Sequence, residues 1–184
     1  MTQKNKFHEF KKTNKIWAIG SLHSNLESFQ SIKNYIILNF SEGDKLIFLG
    51  NVIGFRHNSK EIISEVLSLR LDLMAKFKLN HDNIIFLRGA QEEMFSKLLQ
   101  LQIAPNPIEI IDWIFSHGVD RTITSYGFEP DEFRNVASQG AIQINKLTSR
   151  LNHQVSTVSG HKEYFSNLKH AAYSESKEVL FVNR

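Results

Sequence analysis

The chain has 184 residues, 41% of them hydrophobic, which suffices for one core and one domain. It contains no cysteine, so disulfides, thiolate zinc sites and cysteine nucleophiles are excluded, and any metal would have to be held by His, Asp, Glu or Asn. The formal charge of +3 is small, and no apolar run is long enough to cross a bilayer.

Residues 1–15, MTQKNKFHEFKKTNK, are polar and carry Lys4, Lys6, Lys11, Lys12 and Lys15. They read as a basic, mobile tail without the apolar core of a secretion signal, which points to a cytoplasmic protein. Nothing further supports a phosphate-backbone contact, so no nucleic-acid partner is expected. From Ile16 to Leu101 the pattern is strand and helix three times over. The runs are IWAIG, a helix from about Asn25 to Asn39, KLIFLG, a helix from about Ser59 to Phe77, NIIFLRG, and a helix from Glu92. Each strand ends at a glycine (Gly20, Gly50, Gly89), as suits parallel strands covered on both faces. Leu26, Phe29, Ile32 and Ile36 recur at helical spacing, and Asn58 with Glu61 resembles a capping box. These features predict an α/β fold with a βαβαβα half.

At "APNP", Pro105 and Pro107 are expected to break the third helix. A helical insertion from about residue 103 to 168 follows, its segments separated by Gly118, Gly127, Gly140 and Gly160. Trp113 and Tyr126 read as core aromatics, His117 as a cation near a helix C-terminus, and Asp131 and Glu132 as acidic residues opening a helix after Pro130. His8, His81, His153, His161 and His170 show no metal-ligand spacing. From about 170 to 183, two strands are joined by a polar turn at Ser174 to Lys177, the beginning of a second sheet that would stay incomplete. The domain thus runs from 16 to 184.

In an open α/β sheet the ligand crevice lies beyond the carboxyl ends of the strands, and the three ends read GSLHSN, GNVIGFR and RGAQEE. Together with the closing "LFV" they resemble the signatures of the calcineurin-like metallophosphoesterases, GDxHGN, GDxxDRG, RGNHE and a final His-Ala-Gly. The likeness is strongest to the bacterial branch holding serine/threonine protein phosphatases and diadenosine tetraphosphatase. It implies a fold of that type and a two-metal phosphoester hydrolase. The departures fall on the functional positions. Ser21, Asn51, Gly54, Ala90, Gln91 and Asn183 stand where the family has its first metal aspartate, bridging aspartate, second aspartate, ligand asparagine, catalytic histidine and the histidine of His-Ala-Gly. His23, Arg88 and Glu92 are retained; Ser24 replaces a glycine and Phe55 an arginine, with Arg56 next to it.

Two dications about 4 Å apart repel by on the order of 16 kcal/mol at an effective dielectric near 20, so a bridging carboxylate is required. Neutral Asn51 and Ser21 do not supply that charge, and the Gln91 amide cannot serve as a general acid. The expectation is a catalytically inactive, phosphatase-like protein with a binding or assembly role and no metal centre. The alternative is a residual metal-dependent phosphoesterase, with one weakly held manganese, iron or zinc ion at His23 and Glu92.

His23, Arg56 and Arg88 could instead form an anion site for a phosphate-containing small molecule such as a nucleotide. Equally, Arg88 could pair with Glu92 or Glu93 and leave Arg56 solvated. Leu180, Phe181 and Val182 read as an exposed edge strand, where a second copy or a protein partner could dock.

Overall fold

The computed structural model describes residues 6–183. Its first element, β1 (Phe7–Phe10), falls inside the expected mobile tail, which it corrects. Phe10 is 1% exposed and meets Phe181 edge-on at 6.3 Å, so burial of one aromatic face fixes this segment despite its lysines. Lys4 lies outside the described residues.

β2 (Ile16–Ile19), β3 (Lys45–Phe48) and β4 (Ile84–Phe86) form a parallel sheet in the order β2-β3-β4, with Ile16 opposite Lys45 and Leu46 opposite Ile84. β3 is buried on both faces, which is why its sequence is an unbroken apolar run rather than an alternating one. Leu46 and Phe48 join the large core beneath the helices, whereas Ile47 joins Phe10, Ile85, Leu87 and Ala172 in a smaller core between the two sheets.

The connections are α1 (Leu26–Asn39), α2 (Ser59–Phe77) and α3 (Ala90–Leu98). Asn25 caps α1 by accepting the Ser28 N–H at 3.2 Å. The capping box expected at Asn58 and Glu61 does not form, because the Asn58 side chain makes no cap hydrogen bond. The Lys60 N–H donates instead to Ser125 Oγ at 3.2 Å. α3 starts two residues before Glu92, since Gly89 is the N-cap and Glu92 reaches back to its N–H at 2.9 Å. It ends at Leu98, ahead of the prolines, and Pro107 opens the next helix rather than breaking this one.

The helices α4 (Pro107–Ser116), α5 (Val119–Ser125), α6 (Pro130–Ala137), α7 (Ala141–Thr157) and α8 (His161–Asn167) follow. Tyr126 is buried as expected, but Trp113 is 53% exposed. In α4 the core positions are taken by Ile111, Ile114 and Phe115, and Trp113 lies on the outer face against the His117 ring at 4.5 Å. β5 (Ala171–Ser174) pairs in parallel with β1 and antiparallel with β6 (Leu180–Val182), giving a second sheet in the order β1-β5-β6. The chain is therefore a mixed α/β protein with two small sheets. No helix among the described residues is long and apolar enough to cross a membrane.

Candidate functional site

The segments leaving β2, β3 and β4 meet at one junction, and two glycines permit the approach. A Cβ on Gly50 would lie 2.5 Å from the Gly89 backbone nitrogen, and one on Gly89 would collide with the backbone of Asn51. The loops therefore touch main chain to main chain.

Asn51 ties all three together. Its carbonyl accepts the N–H groups of Leu22 at 3.0 Å and His23 at 2.9 Å. Its Nδ2 donates to Ser21 Oγ at 3.3 Å, and its Oδ1 accepts the Gln91 N–H at 3.0 Å. An amide, donating on one side and accepting on the other, suits this position.

Glu92 is the second tie, and it is 1% exposed. Oε2 accepts the N–H of Asn51 at 2.9 Å and of Gly89 at 2.9 Å. Oε1 accepts those of Val52 at 2.8 Å and Ile53 at 3.3 Å, with the Tyr164 hydroxyl donating at 3.4 Å. Burial pushes the carboxyl above its ordinary range, and the backbone amides of Asn51, Ile53 and Gly89 pull it back. Both oxygens face backbone N–H donors, and the alternative of a single ion at His23 and Glu92 would have to share one of them.

Gln91 is also buried. Its Nε2 donates to the His117 carbonyl at 2.8 Å, while Oε1 is enclosed without a partner. Its amide lies over Gly54, whose φ is +97° and where any side chain would run into it. Gly54 and Gln91 are thus one steric unit, the glycine making the room that the glutamine fills.

His23 has a φ of +48°, and its ring lies edge-on to Phe55 at 4.9 Å. Burial lowers its pKa, partly offset by hydrogen bonding to the Ile53 backbone, and Nδ1 is enclosed without a partner. Arg88 Nη1 pairs with Glu93 at 2.9 Å, not with Glu92, while its Nε is enclosed and unbonded. Arg56 is exposed, and the Arg121 guanidinium lies 2.7 Å from His57 Nε2 beside it. Ser21 and Ala90 are exposed at the mouth. Asn183 donates to the Leu49 carbonyl at 2.7 Å, which brings the end of β6 to the end of β3.

Four non-glycine residues at this junction, His23, Ser24, Asn51 and Phe55, have positive φ. Each costs roughly 1 kcal/mol or more, and such strain persists only where the surrounding structure over-determines it. A buried hydroxyl chain helps to do so. Ser24 Oγ lies 2.8 Å from Ser59 Oγ, which lies 3.0 Å from Thr122 Oγ1. Sequence reasoning missed this chain, Tyr164 and Arg121.

The junction can hold backbone segments in register and offer an exposed rim of Arg56, His57, Arg121 and Phe55. Among the described residues, no group of three or more His, Asp and Glu side chains is placed to hold a metal ion.

No family model and no curated protein sequence matches the chain. Among solved structures, a hypothetical protein from Pyrococcus horikoshii OT3 matches with 16% sequence identity and a TM-score of 0.41. The match covers 85% of this chain and 49% of that one, so this chain spans about half the length of that structure.

Proposed function

We propose that this chain is a metallophosphoesterase-like protein without hydrolytic activity, a pseudophosphatase whose strand-end junction serves binding or assembly. The observation that carries the reading is Glu92, a carboxylate in the expected metal-binding region with both oxygens committed to buried backbone N–H groups. Asn51 supports it, because each polar atom of its side chain is matched to a neighbour that an aspartate could satisfy only in part. The ligand class this reading favours is a phosphate-containing small molecule at the rim of Arg56 and His57, since Arg88 is paired with Glu93 and Arg121 with Asp120.

The test compares thermal shifts with inorganic phosphate, ADP, manganese and zinc. A shift with phosphate or ADP and none with the metals supports the reading, and manganese-dependent turnover of an aryl phosphate favours the residual hydrolase instead.

One observation favours an assembly role as well. Among the described residues β6 pairs on one side only, with β5, and Leu180 is 66% and Val182 49% exposed. A strand edge with its neighbouring apolar side chains in water is a template for pairing with a second chain. A second copy docked along Leu180, Phe181 and Val182 would appear as a dimer in sedimentation. Removal of residues 179–184 would then return it to monomer, and an unchanged state would remove the case for this edge.

A further inference from the structure

α8 carries two buried groups one turn apart on the same face, one bonded to Ser64 of α2 and to Tyr126 after α5, and one bonded to Glu92 in the strand-end junction. His161, its first residue, is 0% exposed. Its Nδ1 lies 2.6 Å from the Tyr126 hydroxyl and its Nε2 3.0 Å from Ser64 Oγ on α2. Ser64 Oγ also reaches the Lys60 carbonyl at 3.2 Å, an acceptor only, so the serine proton goes there. Ser64 therefore accepts from Nε2–H, leaving Nδ1 to accept the Tyr126 O–H. That arrangement fixes one neutral tautomer, and a proton added at Nδ1 is accommodated only when the buried Tyr126 O–H turns away from the ring and its oxygen becomes the acceptor. One turn further along α8, the Tyr164 hydroxyl donates to Glu92 Oε1 at 3.4 Å.

We propose that α8 is an acid-sensitive latch: protonation of His161 turns the Tyr126 hydroxyl away and buries a cation beside Lys60, which loosens α8 from Tyr126 and α2 and withdraws Tyr164 from Glu92, loosening the junction. The surrounding charges do not rescue the cation. Lys60 on α2 opposes it, and Glu61 on α2 bears on Tyr126 rather than on the imidazole. Tyr164 on α8 stays neutral beside Glu92, its burial raising its pKa. The end of α7 contributes the Val158 carbonyl, which accepts the His161 backbone N–H and leaves the ring alone.

Burial lowers His161 from 6.5 to about 4 when the latch is closed. The closed form therefore binds fewer protons than the released one. The stability it contributes is complete above 6.5 and is lost as pH falls toward 4. Between pH 8 and pH 5 those two values give a fall in the closed-to-released ratio of up to about 30-fold. This inference rests on the packing of α8 and not on what the junction binds.

Amide hydrogen exchange on the full chain tests it, with protection factors corrected for the intrinsic pH dependence of exchange. α8 amides from Tyr164 to Asn167 should lose protection by about an order of magnitude between pH 8 and pH 5, while Leu46 to Phe48 in β3 keep theirs. His161→Gln, which cannot take the proton, should abolish the difference. Tyr126→Phe removes the O–H that favours neutral Nδ1, so the closed-state pKa moves back toward 6.5 and the loss between pH 8 and pH 5 should shrink, and it decides the matter alone if His161→Gln does not fold. Loss of protection in α8 and β3 together, an unchanged α8, or a Tyr126→Phe profile superimposed on the wild type would overturn the latch.

Discussion

Replacing Glu92 with glutamine changes one oxygen to NH2 at nearly constant volume, so it isolates the role of the carboxylate. Each oxygen accepts two backbone N–H groups in a position that is 1% exposed. Whichever side the new NH2 takes, two buried backbone donors lose their acceptor and meet another donor. An unsatisfied buried donor costs about 1–3 kcal/mol, so the substitution should destabilise the fold by about 2–6 kcal/mol. Typical domains have roughly 5–15 kcal/mol to lose, so the effect is a large fraction of the total. The neighbouring Glu93→Gln is the control, because its pair with Arg88 is part-exposed and worth about 0–1 kcal/mol. Urea unfolding at pH 7, followed by far-ultraviolet circular dichroism, gives both values. A Glu92→Gln protein within about 1 kcal/mol of wild type, with an unchanged denaturant slope, would refute the idea that this carboxylate pins the loops.

The same packing makes further tests. Gly54→Ala combines a φ of +97° with a collision against the Gln91 amide and should cost about 2–3 kcal/mol; Gln91→Ala in the same chain should recover part of that loss in a double-mutant thermal-melt comparison. Trp113→Ala should change unfolding stability by less than about 1 kcal/mol because the ring is exposed, whereas Phe95→Ala in the core should cost about 3–5 kcal/mol. Asn51→Asp removes the donor to Ser21 and should lower the melting temperature without creating a manganese-dependent thermal shift, since Glu92 stays engaged.

The alternation of short apolar strands with amphipathic helices was legible because each element declares itself locally. The bounds of α2, Ser59 to Phe77, and the paired strands around the Ser174 turn followed from the pattern alone. β1 did not, because its partner β5 lies far along the chain and the FHEF segment is flanked by lysines. Trp113 was misplaced because α4 is apolar on more than one face, and only its neighbours decide which face is buried.

At the candidate site, the sequence displayed the substitutions but not their partners. That Glu92 serves four amides, that Gln91 occupies the room over Gly54, and that Arg88 turns to Glu93 are facts of tertiary geometry. Residues such as Glu92 and Arg88 read as remnants of chemistry until their hydrogen bonds are counted. In the fold they hold loops together.

The most direct measurement of the central claim is hydrolysis of an aryl phosphate in manganese, comparing the wild-type chain with a Ser21→Ala, His23→Ala double variant, with the metal content of each protein determined in parallel. Identical background rates and no stoichiometric metal are expected in both proteins. Turnover by the wild type above that control, with bound metal to match, would contradict it.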